Sequence, residues 1–143
     1  MTHIVADASV VVKWLLPERD HEAGVEPALN ILQQVKKGNI TLHQPPHWLA
    51  EVAAVVTRLS PATARQKIMV LYEMECEVID TPEVYLTACD LAIEFEHHVF
   101  DTLYHAVALH FGRATLVTAD ERYYQKARSR GGISLLSAFH FSV

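Results

Sequence analysis

Four acidic residues stand in settings that surface carboxylates do not usually occupy. Asp7 closes the run Val5-Ala6-Asp7-Ala8-Ser9 and Asp120 closes Val117-Thr118-Ala119-Asp120, each just after a strand-like segment and two residues from a hydroxyl, Ser9 or Thr118. Asp101 follows Val99-Phe100 at the opening of a helical stretch, where capping is an aspartate's ordinary role. Glu51 interrupts the small and apolar run Leu49-Ala50-Glu51-Val52-Ala53-Ala54-Val55-Val56. Taken alone it reads as an exposed helix edge, because a buried carboxylate is rare unless it is paired or binds a metal. Taken together, four such acids drawn to one place would repel one another and have raised pKa values unless a cation sat among them. Oxygen-only ligands select Mg²⁺ or Mn²⁺ over Zn²⁺, and such ions bridge protein carboxylates to substrate phosphates.

The elements that must position these acids are legible as an alternation. Short apolar or β-branched runs recur at His3–Ala6, Ile40–Leu42, Cys76–Ile79, Ala114–Val117 and Ile133–Leu136, separated mostly by stretches of helical period. Strands alternating with helices imply a parallel sheet covered on both faces. Ser60-Pro61 and Thr81-Pro82 predict helices over 62–74 and 83–96; Gly112 closes another from Asp101 to Phe111. Two more are expected over 46–59 and from Asp120 to about Ser129. In such a sheet ligands bind beyond the carboxyl ends of the strands, where the strand order reverses, so acids just after strands, Asp7 and Asp120 among them, are the ones to examine.

Composition narrows the classes. The chain has 143 residues, half of them hydrophobic, enough for one domain with a sizeable core. Its formal charge of −5 excludes an indiscriminately basic nucleic-acid binder. The charge is unevenly spread, however. Residues 68–112 contain acids and no Lys or Arg, whereas 113–130 carry Arg113, Arg122, Lys126, Arg128 and Arg130 against Asp120 and Glu121. A negatively charged substrate would dock near this second segment. Cys76 and Cys89 form no disulfide framework or thiolate zinc motif; both are expected to be small buried hydrophobes in a reducing cytoplasm. No apolar run is long enough for a membrane span, and the first residues lack signal-peptide features, so the chain is expected to begin as written.

The ordered set Val5-Ala6-Asp7-Ala8-Ser9, Glu51 in a small-residue helix, Phe100-Asp101-Thr102-Leu103-Tyr104-His105-Ala106-Val107-Ala108 and Thr118-Ala119-Asp120 resembles the PIN domain family of metal-dependent nucleases. The similarity is greatest to its small toxins of the VapC type, and it runs over the whole chain, 1–143, as one domain. Thr102 stands where the family often has Ala, and Glu121-Arg122-Tyr123-Tyr124 follows the fourth acid.

The resemblance implies an α/β/α sandwich with a five-stranded parallel sheet, and Asp7, Glu51, Asp101 and Asp120 converging at its carboxyl edge as catalytic and metal-binding residues. It implies an endoribonuclease dependent on Mg²⁺ or Mn²⁺, with water activated for in-line attack on a phosphodiester to leave 5′-phosphate and 3′-hydroxyl ends. Ser9 and Thr118 would support or join the metal ligands, and some of Lys13, Arg113, Arg122 and Lys126 would hold the RNA backbone. Family partners are a second copy of the chain and a small antitoxin whose extended tail lies over the acidic pocket. An apolar strip along the first helices, near Trp14, Leu15, Leu16, Leu49 and Val52, would suit that partner, although core is the default for both Trp14 and Trp48.

Other readings compete less well. An aspartyl phosphotransferase lacks a second acid two residues after Asp7, and a dinucleotide fold lacks GxGxxG there. The remaining rival is a catalytically idle domain of the same fold that binds RNA or protein. Among the histidines, His97-His98 reads as a polar loop, and His105, one turn beyond Asp101, is a candidate hydrogen-bond partner for it. Asp80, just before Thr81-Pro82, reads as a helix cap.

Overall fold

The structure is a computed structural model that describes residues 1–19 and 24–141. Within them the chain folds as β1 (Thr2–Ala6), α1 (Ala8–Leu15), α2 (Val25–Lys36), β2 (Ile40–Gln44), α3 (Trp48–Leu59), α4 (Ala64–Tyr72), β3 (Glu77–Val78), α5 (Pro82–Phe95), α6 (Val99–Phe111), β4 (Ala114–Thr118), α7 (Glu121–Ala127) and β5 (Ile133–Leu135). The five strands form one parallel sheet in the order β3-β2-β1-β4-β5. The chain therefore builds outward from β1 on one side and then returns to its other side through β4. The reversal lies between β1 and β4, where Ile4 pairs with Thr115 and Ala6 with Val117.

Ile4, Val5 and Ala6 are all wholly buried although successive strand residues point to opposite faces, so helices cover the sheet on both sides. Each large aliphatic side chain so buried contributes about 1.5–3 kcal/mol. Helix α6 lies against β1, β2 and β4, with α5 packed on it, while α1 meets β4 and α2 meets β2. Both tryptophans are core, and Trp14 Nε1 donates to the Ala28 carbonyl at 2.7 Å, fastening α1 to α2.

At the end of β1 the sheet does something unusual. Its pairing with β2 stops at Ile4 and Leu42, and beyond it the buried Gln44 side chain takes over. Gln44 Oε1 accepts from the Ala6 N–H at 2.8 Å, and its Nε2 donates to the Ala6 carbonyl at 3.0 Å. A side-chain amide thus serves as the missing strand partner immediately before Asp7.

Several boundaries depart from the sequence expectation. Ser60 does not open α4 but caps the C-terminus of α3; its Oγ lies 2.6 Å from Thr63 Oγ1, and Pro61 sits in the turn between. The third strand shrinks to two exposed residues. Helix α6 starts two residues earlier than expected, so Asp101 lies inside its first turn and His98 is the N-cap. Thr81, not Asp80, occupies the N-cap of α5. Cys89 is exposed on α5 rather than buried, and Cys76 is half-buried. No described helix is long and apolar enough to cross a membrane.

Candidate metal centre

Asp7 and Asp120 both cap helices that leave the carboxyl edge of the sheet. Asp7 caps α1, and its Oδ2 accepts from Ser9 N–H at 3.3 Å, Ser9 Oγ at 2.5 Å and Thr118 Oγ1 at 3.2 Å. Asp120 caps α7 through Oδ1, which accepts from Tyr123 N–H at 3.1 Å. The two hydroxyls stitch β1 to β4. Ser9 Oγ accepts from Ala119 N–H and Thr118 Oγ1 from Asp120 N–H, each at 3.0 Å. Among the described residues, the hydrogen bonds to the Asp7 side chain fall on Oδ2.

Helices α3 and α6 bring in the other two acids. Glu51 sits in the first turn of α3, where Tyr104 of α6 donates to its Oε1 at 3.0 Å and His47 Nε2 lies 3.7 Å from its Oε2. His47 is itself fixed to α6 by a 2.7 Å bond to the Phe100 carbonyl and by its ring against Tyr104. Asp101 extends from the first turn of α6 and accepts from His97 Nε2 at 2.9 Å.

These placements gather the acids in two overlapping groups. Asp7, Glu51 and Asp101 each offer an oxygen within 4.8 Å of the others, and Asp101 and Asp120 do the same with a nitrogen of His97. Asp101 is common to both. Among the described residues no Lys or Arg forms an ion pair with any of the four acids.

The electrostatics follow from that crowding. Burial pushes the Asp7 carboxyl above its usual range against the Ser9 and Thr118 bonds, with the Asp101 charge adding to the rise. Glu51 is pushed up to about 7, chiefly by burial; the Tyr104 bond opposes the rise and the Asp7 and Asp101 charges add to it. The Tyr104 phenol is driven far above its usual value by burial and by Glu51. Acids held this way cost free energy without a neutralising cation, and three carboxylates within reach of one point suit a hard divalent ion.

A model of the PIN domain family matches residues 4–129. The chain belongs to the PIN domain family. Its fold is also that of several crystal structures. A chain of VapBC2 from Rickettsia felis, solved bound to a DNA fragment from its promoter, gives a TM-score of 0.64 at 19% identity, covering 94% of this chain and 97% of that one. PAE2754 from Pyrobaculum aerophilum gives 0.67 at 16% identity over 95% and 90%. VapBC-1 from nontypeable Haemophilus influenzae gives 0.65 at 16% identity over 96% and 99%. At these identities the likeness is one of fold. No curated protein matches the sequence.

The basic residues of this PIN domain divide. Arg122 and Lys126 line a hollow of about 340 Å³ with His97 and His98, beside the Asp101–Asp120 group. Lys13 shares a second hollow, of about 330 Å³, with Ser9 and the apolar Val12, Leu16, Val55 and Leu59. Arg113 is not brought to the acids. It precedes β4, at the strand end opposite Thr118, and its charge acts on His3 instead.

What sequence reasoning misses are the contacts of Tyr104 and Tyr123, whereas the i, i+4 pair His47/Glu51 and the His97-His98 pair stand out in the sequence as an invitation to a metal reading. His97 is no mere loop residue, since it stands four before Asp101 and bonds to it. His105 does not reach Asp101. Wholly buried, it bonds the Tyr123 hydroxyl and the Gly131 carbonyl, each at 2.8 Å, and burial holds its pKa down. The spacing of His97 and His47 from Asp101 and Glu51 was a visible signal; the reach of Tyr104 to Glu51 was not.

Proposed function

We propose that this PIN domain is a Mg²⁺- or Mn²⁺-dependent endoribonuclease and the toxin of a type II toxin–antitoxin pair. The supporting observation is the convergence of Asp7, Glu51 and Asp101 within 4.8 Å at the sheet reversal. Asp7, Glu51, Asp101 and Asp120 would hold the metal. When bound, it would lower the pKa of water and offset charge building on the phosphoryl oxygens.

The chain's own residues do the rest. Ser9 and Thr118 hold the Asp7 carboxylate in one orientation through Oδ2. Tyr104 fixes Glu51, whose pKa of about 7 lets a nearby cation hold it ionised at neutral pH. Arg122 and Lys126 border the centre, where they would hold the RNA backbone, with Lys13 flanking the opposite hollow.

An antitoxin partner is supported by the VapBC assemblies that share this fold and by the apolar hollow between α1 and α3, which opens beside Ser9. Met69, Val70 and Tyr72 of α4, all well exposed, offer apolar area to a second copy in a homodimer. The setting is the cytoplasm, where RNA is the substrate.

The test is cleavage of a structured RNA by purified protein with Mn²⁺. Wild type should cut, and Asp7→Asn and Asp120→Asn should not. Equal cutting by all three would trace the activity to a contaminant, and no cutting by wild type would favour an idle RNA- or protein-binding domain.

A further inference from the structure

The two groups that share Asp101 differ in donor chemistry. The Asp7–Glu51–Asp101 group offers oxygen alone, while the second adds the His97 imidazole to Asp101 and Asp120. Imidazole favours borderline transition ions, whereas Mg²⁺ takes oxygen and sheds its waters reluctantly. We propose that His97, Asp101 and Asp120 form a second, nitrogen-containing metal site that takes Mn²⁺ or a like transition ion in preference to Mg²⁺. This rests on the metal-dependent reading above and adds a ligand to it.

His97 is placed as a ligand would need to be. Its side chain is only 10% exposed, and its ring lies against Tyr123 with centroids 4.8 Å apart. The Tyr123 hydroxyl is in turn held by buried His105, so the ring that supports His97 is itself fixed. His97 Nε2 lies 2.9 Å from Asp101 Oδ2, and its Nδ1 faces Lys126 Nζ at 3.3 Å. The Nε2 atom therefore stands beside the carboxylate oxygen with which it would share a cation.

Coordination through Nε2 would leave the ring N–H on Nδ1, where it would repel the Lys126 ammonium. Lys126 already meets the Glu96 carbonyl at 3.4 Å and has that partner to turn to. Metal loading would in this way turn Lys126 from a contact of His97 into a cation free to meet a phosphate, beside Arg122 in the same hollow.

The experiment is electron spin-echo spectroscopy of the full chain loaded with Mn²⁺, together with calorimetric titration of each metal. We expect ¹⁴N modulation that His97→Ala abolishes and His47→Ala leaves, and a stoichiometry of two Mn²⁺ that falls to one in His97→Ala while Mg²⁺ stays at one in both. Labelling wild type with ¹⁵N-histidine should replace the ¹⁴N pattern, which keeps the test independent of how well the variant folds. Bound Mn²⁺ without nitrogen coupling, coupling that survives His97→Ala, or two Mn²⁺ retained by it would overturn the second site alone. Failure of wild type to bind Mn²⁺ at all would overturn both this site and the metal-dependent function.

Discussion

Asp101 and Phe111, near the two ends of α6 and about 15 Å apart at the usual rise per residue, both gather titratable groups, yet they do so in opposite ways. On the first turn Asp101 meets Glu51, Asp7, His97 and Asp120. On the last turn Phe111 lies against His3 and His43, with ring centroids 4.8 and 4.2 Å away; His3 Nδ1 is 2.9 Å from His43 Nε2, and His43 Nδ1 is 3.4 Å from Glu77 Oε1. Burial acts at both ends against the charged form. It pushes Glu51 and Asp7 up at one, and at the other it pushes His3 down, aided by the His43 charge. The consequences diverge because lowering a histidine's pKa favours an uncharged ring packed on its neighbours, whereas carboxylates pressed on one another would be relieved by a cation.

The largest break in this comparison should come from Asp101→Asn, because that carboxylate belongs to both groups. Mn²⁺-dependent RNA cleavage should fall by at least about 10²-fold, since even partners one shell further out cost 10- to 100-fold. The rise in melting temperature on adding millimolar Mn²⁺ should vanish, while the metal-free variant should melt higher than wild type through relief of repulsion. At the other end of the helix, Phe111→Ala should cost about 2–4 kcal/mol of stability by denaturant titration and leave the Mn²⁺-induced shift in place. Loss of that shift would mean the two ends are not independent.

Acid–base behaviour sharpens the contrast. In the folded chain the Glu51 pKa is pushed up to about 7 from an ordinary 4.5, so the folded state holds its proton more tightly. Its contribution to stability is present below pH 4.5 and is lost as the pH rises toward 7. His3, shifted down, contributes the reverse, losing stability as the pH falls below 6.5. Without metal, the melting temperature of Glu51→Gln relative to wild type should therefore climb steadily between pH 4.5 and 7. A difference that stays flat would place Glu51 in open water. The smallest effect should be that of Arg113→Ala, which stands by His3: its affinity for RNA should match wild type within about twofold, whereas Arg122→Ala should weaken binding and reduce the salt slope by about one.

The strands were readable because β1 and β4 are apolar runs followed by Asp7 and Asp120, and the caps these acids form are local interactions; the strand order, which rests on long-range pairing, was not. Glu51 and Asp101 were readable as exceptions to their surroundings. Helix α2 carried no such signal; it begins after Gly24 with no side-chain cap, and its place is set by packing, as the Trp14–Ala28 bond shows. The start of α4 was misplaced because Ser60-Pro61 matches a helix opening in type, whereas Ser60 is already taken as the end of α3. Tyr104 was hidden for a different reason. Its partner lies 53 residues away, and no local pattern encodes a hydrogen bond across two helices. Arg113 shows the converse error, since nearness in sequence to Asp120 was mistaken for nearness in space across the length of β4.

The Gln44 amide bears on how firmly the first acid is seated. Where two parallel strands part, each normally leaves peptide groups that demand water or a partner. Here one side chain meets both demands of Ala6. The peptide just before Asp7 is thereby braced from the neighbouring strand by a residue that carries no charge. The aim of that carboxylate would owe as much to this brace as to the hydroxyls that bond it.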